Sequence, residues 1–158
     1  NMDTKLIIGI VVGIFAVAAI LVNMSKVGGA ATTKCLFDPS VGSCSGRISA
    51  DGTVNIKVNF NSPLSGSVYF GNDVTIQHCT IDAEGNRDCE SSSSYCSIVS
   101  SSPSDGIFKC KALNKGEYYL VSFSIHRMGI DVLSGWSCVG PMGRVDCVQT
   151  GVLLQKAE

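Results

Sequence analysis

The chain reads as α+β by content, one long N-terminal hydrophobic helix followed by an all-β sandwich with disulfides, and three observations carry that expectation. Leu6 to Val22 is a run of seventeen residues without one polar side chain. All eight cysteines come after it. From Cys35 onward the apolar residues recur at every second position, the period of a half-buried strand. Two units follow, residues 1–29 as the hydrophobic helix, a membrane span or filament core, and residues 30–158 as a disulfide-rich β head.

The apolar run comes first because it cannot be left in water. As a helix it would extend roughly 26 Å, at the short end of what crosses a bilayer. Nine of its residues are Ile or Val, poor helix formers in water. In an apolar medium a lone segment can satisfy its backbone only as a helix, so solvent overrides propensity. Gly9, Gly13 and Ala16 place a stripe of small side chains on one face of that helix, where a second helix can approach closely. A cleaved secretory signal is the rival reading, since Gly28-Gly29-Ala30-Ala31 offers small residues for a peptidase. Asn1 before Met2 is read as a processed amino terminus, and Gly28-Gly29 as the hinge between rod and head. The sequon Asn23-Met24-Ser25 lies too near the apolar run to carry weight.

Cysteines Cys35, Cys44, Cys79, Cys89, Cys96, Cys110, Cys138 and Cys147, even in number and confined to one side of the run, read as a disulfide framework in an oxidising space. The head therefore belongs outside the cytoplasm. Lys5 before the run and Lys26 and Lys34 after it leave the positive-inside rule neutral on orientation. Zinc would need compact pairs, and neither CxxC nor CxxH occurs. Eight cysteines allow 105 connectivities. Proximity favours Cys35 with Cys44, Cys79 with Cys89, Cys96 with Cys110 and Cys138 with Cys147, each closing a short loop.

Along the head, Val54, Ile56, Val58 and Phe60 alternate with Asn55, Lys57 and Asn59, a strand with one buried face. Gly66 to Phe70 and Val74 to Ile81 read as strands around a turn at Gly71-Asn72-Asp73. Asp82 to Asp88 carries oxygen-bearing residues at alternate positions, but its glycine is misplaced for a calcium loop and turn residues account for the stretch. Glu90 to Asp105, with nine serines and Pro103, has loop composition, and its hydroxyls are candidate glycan sites. Ile107 to Cys110 is a short strand and Leu113 to Ile125 the strongest one. Leu133 to Val139 and Arg144 to Leu154 make the last pair around Gly140-Pro141-Met142-Gly143, and Trp136 is expected to fill core space.

The net charge of −1 and singly scattered Lys and Arg give no footprint for nucleic acid. No GxSxG, HExxH or phosphate-binding loop occurs, and neither His78 nor His126 has a nucleophile or carboxylate in a recognised sequence arrangement. No enzyme activity, cofactor or metal is expected.

Leu113, Gly116, Tyr118 and Leu120 resemble the corner and strand of immunoglobulin-like sandwiches, in which a tyrosine hydroxyl closes a corner between sheets. The whole layout, apolar helix then β head, resembles type IV pilin-like proteins, the archaeal pilins and archaellins above all. That resemblance implies a subunit polymerising with copies of itself through Leu6 to Val22 into an extracellular filament for adhesion or motility, membrane-embedded before assembly. The alternative is a single-span surface protein whose head binds a ligand or belongs to a membrane complex.

Overall fold

The computed structural model describes residues 33–158. The helix expected over residues 1–29 and its packing residues Gly9, Gly13 and Ala16 lie outside them. The described residues contain twelve strands and no helix, and no helix among them is long and apolar enough to cross a membrane.

The strands are β1 (Lys34–Leu36), β2 (Gly42–Ile48), β3 (Thr53–Phe60), β4 (Ser67–Phe70), β5 (Thr75–Ile81) and β6 (Arg87–Cys89). They continue with β7 (Ser94–Tyr95), β8 (Ser97–Ser102), β9 (Asp105–Lys109), β10 (Tyr118–Gly129), β11 (Ser137–Val139) and β12 (Val145–Lys156). One sheet runs β1-β12-β10-β5-β6, with β11 beside β12, β4 beside β10 and β7 beside β5; the other runs β2-β3-β9-β8. Every pairing is antiparallel.

Period-two patterning explains how the sheets face each other. Val54, Ile56 and Val58 of β3 and Phe108 of β9 point inward from the smaller sheet. Tyr119, Val121, Phe123 and Ile125 of β10, Ile76 of β5 and Leu153 of β12 meet them from the larger. Burying a side chain of this size contributes about 1.5–3 kcal/mol, so this single apolar layer is the main source of stability. Phe123 stands opposite Gly151 of β12, where any side chain would run into its ring. Trp136 is half-buried and stacks on Phe60, with centroids 6.4 Å apart, at the margin of the core.

Three local readings need correction. The segments around Gly71-Asn72-Asp73 do not pair with each other as a turn would suggest. Both β4 and β5 lie along β10, with Phe70 opposite Ile125 and Thr75 opposite Ser122. Four residues, 71–74, thus span the two positions Phe123 and Ser124, so the stretch is a bulge in one interrupted strand. The Ser-rich stretch is not all loop. It supplies β7 and the edge strand β8, whose side chains are all exposed and therefore show no alternation. Leu133 to Val139 is mostly loop, with only Ser137–Val139 paired to β12.

The expected corner tyrosine shifts by one residue. Tyr118 faces outward, half-buried, while Tyr119 is 3 % exposed and its hydroxyl accepts the backbone N–H of Asn114 at 2.9 Å. The more apolar face of β10 decides which ring turns inward, and the inward ring is the one that can reach back across the corner.

Candidate functional site

The four disulfides use every cysteine: Cys35–Cys44, Cys79–Cys89, Cys96–Cys110 and Cys138–Cys147. Two of them clip neighbouring strands, since Cys79 stands opposite Cys89 between β5 and β6 and Cys138 opposite Cys147 between β11 and β12. Cys35–Cys44 ties β1 of the larger sheet to β2 of the smaller. Cys96–Cys110 closes the connection from β7 to β8 against the end of β9. Gln155 adds an uncharged link between the sheets, its buried side-chain oxygen accepting the Ile48 N–H.

The side chains with chemical potential gather on the outer face of the larger sheet. Alternation along β10 sends Ser124 and His126 outward, and the register sets His126 between Tyr69 of β4 and Val148 of β12. Nδ1 of His126 lies 3.1 Å from Asp146 Oδ1, and Tyr69 stacks on the imidazole with centroids 5.1 Å apart. Nε2 lies 3.4 Å from Ser124 Oγ, which donates to Asp73 Oδ1 at 2.7 Å. Asp73 reaches this position because the bulge at 71–74 folds over Ser124, with the Gly71 N–H donating to the Ser124 carbonyl.

The order Asp146, His126, Ser124 is that of a hydrolase relay, but the geometry serves another purpose. The serine proton is directed to Asp73, leaving none for the imidazole, and Ser124 is 2 % exposed beneath the bulge. A nucleophile must meet its substrate, and this hydroxyl does not. The chain of contacts instead fastens β4, the bulge, β10 and β12 into one surface. Sequence reasoning missed it because Asp146 arrives by cross-strand register and Asp73 by the bulge; only the spacing of Ser124 and His126, two apart on one strand, is visible in the sequence.

His78 is also flanked by carboxylates, its Nδ1 2.9 Å from Glu90 Oε2 and its Nε2 2.9 Å from Glu117 Oε1. Among the described residues no group of three or more His, Cys, Asp or Glu could hold a metal ion. In the Asp82 loop, the carboxylate accepts the backbone N–H groups of Glu84 and Asn86 at 3.0 and 2.7 Å, as the turn reading requires.

Beside the polar chain lies a shallow groove of about 470 Å³, walled by Leu36 and Val152 and edged by Asp73, Ser122 and Thr150. At the far end of the same sheet, Ile130, Val132, Val139 and Met142 stand exposed. The loop bearing Ile130 and Val132 is held from below by Arg127, whose fully buried guanidinium donates to Asp131 Oδ1 at 2.9 Å and to the Asp131 carbonyl. Gln149 donates to the Gly135 carbonyl from the neighbouring strand.

The chain matches no protein-family model, no curated protein and no solved structure. The resemblance to type IV pilin-like subunits is therefore corrected: no family evidence supports it, and the described residues are an all-β fold without a helix. The likeness rested on the order of an apolar run and a β head, an arrangement that any tethered β domain shares.

Proposed function

We propose that the chain is a structural protein of the cell surface, its head displayed outside the cytoplasm and acting by contact rather than by chemistry. The four disulfides carry this reading. They persist in an oxidising space, and they tie both sheets covalently, which suits a part that must hold its shape where no chaperone repairs it. The apolar run 6–22 supplies the attachment, buried with copies of itself in the core of an extracellular assembly. A second reading, a head anchored singly in a membrane and binding a ligand, is favoured by the groove between Leu36 and Val152.

One experiment separates them. Shearing cells and identifying this chain by mass spectrometry in regular assemblies seen by negative-stain electron microscopy is the expected result. Recovery only in detergent-extracted membranes would transfer the proposal to the anchored head, and recovery in the cytoplasm with reduced cysteines would end both.

A further inference from the structure

We propose that Cys138–Cys147 is a thiol-exchange site, a disulfide that takes the thiolate of a small thiol or dithiol on Cys138 and releases Cys147 to the buried guanidinium of Arg127. The inference goes beyond the structural reading and leaves it intact, because the Cys35–Cys44 tie between the sheets is untouched by it.

Arg127 of β10 and Cys147 of β12 stand opposite each other on the inner side of the larger sheet, both fully buried, with Nη2 3.7 Å from Sγ. A guanidinium in such a place needs an acceptor for every N–H. Nη1 finds Asp131 Oδ1 at 2.9 Å and the Ser65 carbonyl and hydroxyl at 3.4 and 3.5 Å, and Nη2 finds the Asp131 carbonyl. Nε has no partner among the described residues, and Nη2 has besides that carbonyl a disulfide sulfur, which is a weak acceptor. Asp131, the ion-pair partner, is 62 % exposed, so water weakens its compensation of the buried charge. A thiolate at Cys147 would supply both a full anion and a strong acceptor. Those are the surroundings that lower a thiol's pKa and make it the better leaving group.

The two sulfurs are not equivalent, and the difference sets the direction of exchange. Cys138 is half-buried in β11, between exposed Ser137 and Val139 at the apolar tip, whereas Cys147 is out of reach. Around Cys138 Sγ stand the carbonyl oxygens of Leu133 and Trp136, each at 3.9 Å, against the Leu133 N–H at 3.5 Å. Negative charge is therefore better held at Cys147. The incoming thiolate places its electron pair in a new bond to Cys138 Sγ, and the pair of the old S–S bond departs with Cys147 Sγ. With a dithiol, the second thiolate then attacks the reagent's own sulfur in that mixed disulfide. The reagent leaves as a cyclic disulfide, its electrons stay on the cysteine pair, and Cys138 takes a proton from water. The other clips sit differently. Cys96–Cys110 lies within the hydrophobic core and Cys35–Cys44 packs against it, surroundings that oppose a thiolate. Cys79–Cys89 also joins directly opposite residues and has one buried member, Cys79, yet Cys79 Sγ lies 3.9 Å from the Gln77 carbonyl oxygen rather than beside a cation.

The test treats the full chain in detergent with reduced glutathione and, separately, with dithiothreitol, quenches with acid, and reads each cysteine by alkylation and peptide mass spectrometry. Cys138–Cys147 is expected to open about tenfold faster than Cys79–Cys89, with the glutathione adduct on Cys138 and the free thiol on Cys147. Arg127→Met should remove most of that advantage, and Arg127→Lys should keep part of it. Because Arg127 also holds Asp131 and its loop, near-ultraviolet circular dichroism checks that each variant is folded, and a second readout leaves the arginine in place. In Cys138→Ser the one free thiol, Cys147, should form its thiolate, followed by ultraviolet absorbance, at a pH below the ordinary thiol value of about 8.5. Equal opening rates for the two cross-strand clips, an adduct on Cys147, or a Cys147 thiol that titrates above the ordinary value would each overturn the proposal. So would a folded Arg127→Met chain whose Cys138–Cys147 bond opens as fast as the parent's.

Discussion

At Tyr119 a single atom decides how the chain turns between sheets. The hydroxyl accepts the Asn114 N–H across a five-residue reach while the ring fills the core. Tyr119→Phe keeps the ring and leaves that donor without its partner. It should cost about 1 kcal/mol in urea unfolding, where Tyr118→Phe, on the outer side, should cost less. Lys34 offers a second residue-scale effect. Burial, and after it the charge of Arg87, lowers its ammonium from 10.5 to about 8. The folded chain therefore gives up this proton at a pH where the unfolded chain still holds it. Between about 8 and 10.5 the unfolded state binds more protons, so this group makes stability rise with pH across that window. The urea midpoint should be higher at about pH 9.5 than at about pH 7.5, and Lys34→Met should flatten the difference. A midpoint that falls over this interval in the parent chain and is unchanged by the substitution would exclude the effect.

Among the elements, what could be read beforehand depended on whether a strand has two different faces. β3 and β10 do, and Val54 to Phe60 and Tyr119 to Ile125 announced them by alternation. β8 has no buried face, so its serines looked like loop although its backbone pairs with β9. Pairing itself left less trace. Residues Gly66 to Ile81 contain nothing to show that β4 and β5 share one neighbour rather than each other; that follows from β10 being long enough to serve both. The candidate site was hidden for the same reason, because Asp73 of the bulge and Asp146 of β12 lie 51 and 20 positions from the Ser124 and His126 they touch. Short-range cysteine spacing was more informative, since hairpin partners are close in both sequence and space. Between-sheet pairing is where a disulfide should matter most. Replacing Cys35 and Cys44 together by serine should lower unfolding free energy by about 2–3 kcal/mol, measured by urea titration under oxidising conditions. A loss near zero would mean that Gln155 and the apolar layer hold β1 to β2 unaided.

For the molecule as a whole, one sheet has a more specialised outer surface than the other. Its β12 strand receives β1 at one end and β11 at the other, so the point where the chain enters the head and the apolar tip are separated by most of that strand's length. The polar chain from Asp73 to Asp146 lies between them and keeps that surface in one shape. The disulfides have a consequence for how such a molecule is made. No pair encloses another cysteine, and the longest separation within a pair is 14 residues. A chain threading through a translocation pore, amino end first, would therefore deliver both members of each pair within moments of one another, before the next pair emerges. Oxidation could follow the order of synthesis, with few opportunities for a wrong partner and little need for an isomerase to reshuffle bonds afterwards.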